Sequence, residues 1–89
     1  MSLPLASMTQ LQVLLFASYA DAFGASQVTV SVAEPATVST LVDALRALPG
    51  GDVLPATPLV AVDRRFTRGE AVPVRAGQEI ALIPPVAGG

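Results

Sequence analysis

The sequence predicts an α+β domain in which one main helix packs on one face of a mixed β-sheet of four to five strands. Three observations support this prediction. Two stretches with the period-two alternation of strands come first, a single stretch with helical periodicity follows, and further short apolar strands complete the chain. Turn residues separate these segments. With 89 residues, the chain is long enough for one domain with a modest core.

Residues 10–17 are predicted to form the first strand. Successive side chains of a strand point to opposite faces of the sheet, so Leu11, Val13 and Leu15 share one face, while Leu14 and Phe16 lie on the other. Both faces therefore carry apolar residues towards the end of the strand. This pattern is typical of a strand in the middle of a sheet.

Residues 27–33 are predicted to form the second strand, after a loop or short helical turn at 18–26. Valines alternate here with Gln, Thr and Ser, which predicts one buried face and one face in water. We therefore expect this strand at an edge of the sheet.

The only long helical pattern begins after Thr37, whose hydroxyl is a suitable N-cap. Its apolar residues recur at helical spacing and form one stripe that must pack on the sheet. The members of the stripe are Val38, Leu41, Val42, Leu45 and Leu48. Pro49-Gly50-Gly51 ends the helix.

Short strands and turns are predicted for the rest of the domain. Residues 59–62 form a strand, 63–65 a turn, and 66–74 an irregular returning strand that is interrupted by a proline. Residues 75–78 form a second turn, and 79–83 form the last strand.

This order of elements fits best if the last strand enters the sheet beside the first and parallel to it, which is the β-grasp arrangement. The face towards the helix then holds the predicted core: Val13, Leu15, Val28, Val30, Val62, Ile80 and Leu82. Phe16, Phe66 and Ile83 are left on the opposite face. We interpret them as a docking patch for a partner, with a covering loop as the alternative.

The domain is predicted to span residues 10–83. We expect residues 1–9 to form a disordered leader and residues 84–89 an extended tail that ends in Gly88-Gly89.

Composition excludes several classes of chemistry. The chain contains no cysteine and no histidine, so it cannot form disulfides, Cys/His zinc sites or histidine-activated nucleophiles by itself. Its acidic residues are scattered without the spacing of a calcium loop. A net charge of −2, without any lysine, argues against nucleic acid and anionic membranes as partners. We expect no bound cofactor or metal, and a cytoplasmic location.

The C-terminal segment Ile83-Pro84-Pro85-Val86-Ala87-Gly88-Gly89 combines a stiff start with a narrow end. The prolines favour an extended backbone, so the tail should project from the domain. The four residues after Pro85 can reach about 13 Å when extended. Glycine has no Cβ, so Gly88 and Gly89 could enter a tunnel too narrow for other residues. The alternative is an ordinary frayed terminus.

Together these residues resemble a known family, the MoaD-like sulfur carriers that form the small subunit of molybdopterin synthase and share the ubiquitin-like fold. The resemblance covers nearly the whole chain from Gln10 onward. It depends on Leu14-Leu15-Phe16-Ala17, Ala36-Thr37-Val38, Leu59-Val60-Ala61-Val62-Asp63 and, above all, the segment from Gly77 to Gly89. The chain departs from the family pattern at Tyr19-Ala20-Asp21, where an Arg-Glu pair is common, at Asp63, where Asn is common, and at Gln78, where Asp is common.

The resemblance implies that an ATP-using, MoeB-like enzyme adenylates the carboxylate of Gly89 and that sulfur from a sulfurtransferase then replaces AMP. The product would be a C-terminal thiocarboxylate. Pro84, Pro85, Val86, Ala87 and Gly88 would insert it into a MoaE-like large subunit for synthesis of the molybdopterin dithiolene. The chain would then be a sulfur-donating co-substrate and subunit, without an active site of its own.

Three other functions remain open. The chain could carry sulfur for thiamin, cysteine or tRNA thiolation, although Pro84-Pro85 argues against the thiamin branch. It could be a ubiquitin-like modifier that is attached through Gly89 to lysines of other proteins. It could also be an interaction module with an inert tail.

For the partner interface, we predict Phe16, Phe66 and Ile83 at the centre and three arginines at a polar rim. Those arginines are Arg64, Arg65 and Arg68. Arginine is enriched in interfaces. The alternative for these three cations is a solvated turn.

Overall fold

The computed structural model describes residues 8–69 and 71–85 of the chain. Their elements, in order, are β1 (Met8–Leu15), α1 (Ala17–Phe23), β2 (Gln27–Ala33), β3 (Ala36–Thr37), α2 (Val38–Arg46), a 3-10 turn (Gly51–Val53), β4 (Leu59–Val62), β5 (Arg65–Thr67), β6 (Pro73–Val74) and β7 (Ile80–Ile83).

Five strands form one mixed sheet in the order β2-β1-β7-β4-β5. The last strand, β7, lies in its centre. It runs parallel to β1, with Val13 opposite Ile80, and antiparallel to β4, with Val62 opposite Ile80 on the other side. The predicted β-grasp fold is therefore confirmed, and β2 occupies an edge as expected.

The helix α2 packs on one face of this sheet and closes the core. It begins where predicted, because the Thr40 N–H donates to the Thr37 hydroxyl oxygen at 3.3 Å and caps the first turn. Four of the five predicted stripe residues are buried, and Leu48 is half-buried. The predicted sheet core is also buried, except for Val28 near the start of β2, which is half-buried.

Of the two alternatives for 18–26, a loop or a short helical turn, the structure shows the helical one, as the helix α1 at Ala17–Phe23. Its alanines favour helix formation, and Tyr19 and Phe23, four residues apart, lie on one face and pack into or against the core. The helix ends at Gly24, whose left-handed φ of 72° suits glycine and whose N–H donates to the Ala20 carbonyl at 2.9 Å.

The predicted returning strand, residues 66–74, is split between two sheets. β5 ends at Thr67, whose hydroxyl accepts a hydrogen bond from the Gly69 N–H at 2.8 Å. Farther along, β6 pairs with β3 in a separate two-stranded sheet. Proline has no N–H for a ladder, so Pro73 suits this short pairing better than a continuous strand beside β4.

The limits of β1 also differ from the prediction. The strand begins at Met8, within the predicted leader, and ends at Leu15, because α1 starts at Ala17. Positions 1–7 of the predicted leader lie outside the described residues.

Asp63 joins the β4–β5 hairpin to the start of β7. It forms a two-residue turn with Arg64, and both residues have positive φ, 50° and 70°, as in the type I′ hairpin turn. Its carboxylate accepts hydrogen bonds from the Glu79 N–H at 2.9 Å and from the Gln78 side-chain amide at 3.0 Å. These bonds, led by the one from the Glu79 backbone, lower the pKa of Asp63 below its ordinary value.

The lowered pKa makes the contribution of Asp63 to stability depend on pH. A carboxylate whose pKa is depressed in the folded state stabilises the protein above its unfolded pKa of about 3.9, and this contribution is lost as the pH falls through the folded value. We therefore expect Asp63→Asn to lower the urea midpoint at neutral pH. The difference from wild type should shrink below about pH 4.

Urea titrations at several pH values measure this effect. Asp43→Asn serves as the control, because Asp43 is an exposed carboxylate on α2, and it should leave the wild-type pH profile in place. A constant difference between wild type and Asp63→Asn from neutral to acidic pH would contradict the prediction.

Candidate functional site

The tail leaves the domain from the middle of the sheet. β7 is held between β1 and β4 and ends at Ile83, and Pro84 and Pro85 follow directly. Pro84 is half-buried and Pro85 is exposed. The rest of the predicted tail, Val86, Ala87, Gly88 and Gly89, lies outside the described residues. The structure therefore shows where the arm starts, at the end of a strand that has neighbours on both sides.

An apolar surface covers the sheet face opposite α2, beside the start of the tail. The strand registers arrange its residues in two rows. Leu14, Ala81, Ala61 and Phe66 are successive partners across four strands. The second row lies closer to the tail. In it, Ile83 is the partner of Leu59, and Phe16, the residue after β1, lies beside Ile83. We call these seven residues the apolar sheet face.

The apolar sheet face has exposed walls and a low centre. Two of the residues that were predicted for the interface are largely exposed: Phe16 is 48% exposed and Phe66 is 67% exposed. Ala61 and Ala81, which lie between them, are buried, with 9% and 6% exposure. Large apolar side chains around small ones form a depression that suits a protruding apolar side chain of a partner. The three predicted residues Phe16, Phe66 and Ile83 thus share one face, and their role in binding stays a prediction.

A groove of about 510 Å³ lies at the foot of the tail. It connects the tail prolines with α1, the loop before β4 and the end of β5, and is lined by Tyr19, Pro55, Thr57, Pro58, Leu59, Arg68, Ile83, Pro84 and Pro85. Among the described residues that line it, Arg68 alone is charged. In residues 8–69 and 71–85, the groove therefore combines mainly apolar walls with one cation at the point where the tail departs.

Tyr19 is one of the groove residues that were not among the predicted site residues. It lies on α1 and is only 5% exposed. Burial raises the pKa of the Tyr19 phenol, and the positive charge of Arg68 partly opposes this effect. Its spacing of four from Phe23 was the available signal, because it indicates a helix with an inward aromatic face.

The three predicted rim arginines do not form one cluster. Arg68 alone lines the groove beside the tail. Arg64 lies in the hairpin turn at the other end of β5 and pairs with Glu79 at 3.6 Å, where both side chains are exposed. Arg65 is the partner of Val62, so it lies on the α2 side of the sheet, away from Phe66. Only Arg68 is placed for a rim role near Ile83.

Within residues 8–69 and 71–85, no group of three or more acidic side chains is placed to hold a metal ion. No helix in this described part of the chain is long and apolar enough to span a membrane.

The ThiS family model matches residues 13–89, which include the end of β1 and every later element through the tail. The chain belongs to the ThiS family. This match and the structural neighbours below confirm the resemblance to MoaD-like, ubiquitin-like carriers that residues 10–89 indicated. Curated protein sequences give no match to this ThiS-family chain.

Three solved structures show how widely this fold is shared. SAMP1 from Haloferax volcanii is 30% identical, with a TM-score of 0.74 over 90% of this chain and 99% of that chain. A Pyrococcus furiosus chain provisionally assigned as molybdopterin converting factor subunit 1 is 17% identical, with a TM-score of 0.74 over 88% and 99%.

The third is a complex of subunits 1 and 2 of the molybdopterin-converting factor from Helicobacter pylori. The matched chain of that complex is 18% identical to this chain, with a TM-score of 0.65 over 91% of this chain and 100% of that chain. Similarity at 17% and 18% identity shows the shared fold alone. This ThiS-family chain thus has the fold of both sulfur carriers and ubiquitin-like modifiers.

Proposed function

We propose that this chain is a sulfur carrier of molybdopterin synthesis and acts as the small subunit of molybdopterin synthase. One observation carries the proposal: the central strand β7 runs directly into Pro84-Pro85, beside the apolar sheet face. A partner that covers this face would receive the tail at a defined position. Gly88-Gly89, the last two residues of the sequence, would supply the carboxylate that the reaction needs.

The chemistry at Gly89 has two steps. A carboxylate is a poor acyl donor, because its oxygen leaves only as a strongly basic ion. An activating, MoeB-like enzyme would therefore transfer AMP from ATP to the Gly89 carboxylate and release pyrophosphate. Hydrosulfide sulfur, delivered by a sulfurtransferase, would then attack the acyl carbon and displace AMP. The thiocarboxylate that forms is a sulfur nucleophile, and the chain needs no cysteine to carry it.

The two tail prolines reduce the entropic cost of delivery. Ordering one flexible backbone residue costs about 1–2 kcal/mol, and a proline whose conformation suits the bound state saves about 0.4–1 kcal/mol. Pro84 and Pro85 follow a strand with neighbours on both sides, so their starting direction is set before a partner binds. The reactive end would reach the partner's active site on a short, preordered arm.

The large, MoaE-like subunit would bind the apolar sheet face and supply the catalytic acids and bases. The Helicobacter pylori complex of subunits 1 and 2 supports a partner of this class. The walls Phe16 and Phe66 and the low centre at Ala61 and Ala81 offer the apolar contacts that anchor interfaces. Arg68 would lie at the rim of that contact, next to the tail.

Ubiquitin-like modification is the second candidate function. SAMP1, a small archaeal modifier protein, is 30% identical over 90% of the chain, a higher identity than that of the two molybdopterin-factor chains. In this reaction a lysine amine of a target would attack the acyl carbon of adenylated Gly89, displace AMP with loss of a proton, and form an isopeptide bond. Because this chain contains no lysine, a copy that is attached to a target offers no lysine to which a further copy could be joined.

Intact-mass spectrometry tests the proposed chemistry. After incubation with activating enzyme, ATP and a sulfur donor, the mass should rise by the replacement of one oxygen by sulfur. A variant that lacks Gly88 and Gly89 should keep its mass unchanged. An unchanged wild-type mass would contradict the sulfur-carrier proposal, and isopeptide conjugates in place of thiocarboxylate would favour the modifier.

Phe16→Asp tests the proposed interface. Removal of a buried interface aromatic commonly costs 2 kcal/mol or more, so we expect large-subunit binding to weaken by roughly thirtyfold. The fold should persist, because Phe16 is 48% exposed and is the N-cap of α1, a position where its side chain makes no hydrogen bond and where Asp is favourable.

Met8→Asp is the matched control for Phe16→Asp. Met8 is 58% exposed and lies at the opposite end of β1, about 26 Å away along the strand. Calorimetric titration should show nearly wild-type affinity for this variant. Equal affinity of Phe16→Asp and Met8→Asp would remove Phe16 from the interface, and loss of cooperative unfolding in Phe16→Asp would place it in the core.

A further inference from the structure

The edge strand β2 is long, regular and uncharged. All seven residues of β2 pair with β1 in one continuous register, from Gln27 opposite Leu14 to Ala33 opposite Met8. On its other side, β2 pairs with no strand in the described part of the chain. Its sequence, QVTVSVA, contains no charge, proline or glycine. The usual devices that block an exposed sheet edge are therefore missing from this strand.

The hydrogen-bond pattern shows which backbone groups face the free edge. The Leu15 N–H donates to the Ser26 carbonyl at 2.9 Å, so this pair belongs to the hydrogen-bonded set of the antiparallel ladder. Hydrogen-bonded and non-hydrogen-bonded residue pairs alternate along an antiparallel ladder. The backbone N–H and C=O groups of Val28, Val30 and Val32 therefore point towards β1. The N–H and C=O groups of the remaining residues point outwards: Gln27, Thr29, Ser31 and Ala33.

These four residues complement a second copy of the same strand. In an antiparallel pair related by a twofold axis at Val30, Thr29 lies opposite Ser31 of the other copy, and Gln27 lies opposite Ala33. Every outward residue then faces an outward residue, and the register uses the full length of β2. Because all four side chains are exposed and uncharged, no charge is buried or opposed in this pairing.

We propose that two copies of this chain associate through β2, in antiparallel register about Val30. Their two five-stranded sheets would then form a single ten-stranded sheet. Threonine and serine opposite each other on neighbouring strands stabilise such a pair. The buried or half-buried valines Val28, Val30 and Val32 continue the core-side face across the junction. The partner of this edge is thus a second copy of the chain.

The association would leave the proposed delivery of Gly89 free. In the order β2-β1-β7-β4-β5, β1 separates the β2 edge from β7, and Phe66 lies on β5 at the opposite edge. A dimer would present two tails and two apolar sheet faces. A contact made mainly by one pair of short strands is small, so it should form at high concentration and dissociate on dilution.

Paired charge substitutions test both the partner and the register. In the monomer, Thr29 and Ser31 lie opposite Gln12 and Gln10 of β1, so exposed charges are tolerated there. In the proposed dimer, Thr29→Arg with Ser31→Arg places arginines directly opposite each other at two positions. Thr29→Arg with Ser31→Glu places an arginine opposite a glutamate at the same two positions.

Sedimentation velocity from micromolar to millimolar concentration gives the dimer dissociation constant of each protein. We expect the double-arginine variant to dimerise at least roughly tenfold more weakly than wild type. The Arg/Glu variant should match or exceed wild type. Circular dichroism verifies that both variants are folded.

Amide hydrogen exchange of the wild type gives an independent result that needs no substitution. Exchange at Thr29 and Ser31 should slow as concentration rises, whereas exchange at Ala76 in the 75–78 turn should not change. A wild type that stays monomeric at millimolar concentration would overturn the proposal. Equal dimerisation of the two charge variants would overturn the register, and with it the twofold pairing of β2. Both results are independent of sulfur transfer at Gly89.

Discussion

The structure depends on the insertion of β7 between β1 and β4. A strand with two neighbours satisfies its backbone hydrogen bonds on both sides, and Ile80 and Leu82 are among the most buried side chains of the core. Its parallel pairing with β1 requires a connection that crosses the sheet, and α2, which covers the core, lies in that connection. The same insertion directs Pro84 out of the middle of the sheet. One constraint thus closes the fold and positions the proposed reactive arm.

Much of this arrangement could be predicted, because burial imposes a period that the sequence displays. The alternation in 27–33 and the helical stripe after Thr37 were each dictated by one dominant core face. β2 lies where predicted, and α2 begins where predicted but ends at Arg46, before the predicted stop at Pro49. The sequence left a loop and a short helical turn open at 18–26, because α1 is short and rich in alanine and its apolar pattern is weak. The pairing of β3 with β6 was missed because two-residue strands carry no period at all.

The site was predictable in part for the same reason. Phe16, Ile83 and Phe66 follow from strand alternation, and the registers bring them to one face. The arginines do not share one face, because Arg64 lies in the hairpin turn, Arg65 points to the α2 side of β5, and Arg68 follows the end of β5. Tyr19 reaches the tail groove only through the tertiary position of α1. A local pattern can identify the face of a strand, but it cannot show which loops and helices meet at its end.

We propose that this chain carries transferable sulfur on Gly89, and the C-terminal tryptic peptide offers the most direct measurement. Arg75 is the last basic residue, so trypsin releases residues 76–89 as one peptide. Mass spectrometry should locate all the incorporated sulfur in this peptide. Addition of the large subunit and its pterin precursor should then return the peptide to its carboxylate mass. Sulfur found elsewhere in the chain, or a thiolated peptide that the large subunit does not discharge, would contradict the account.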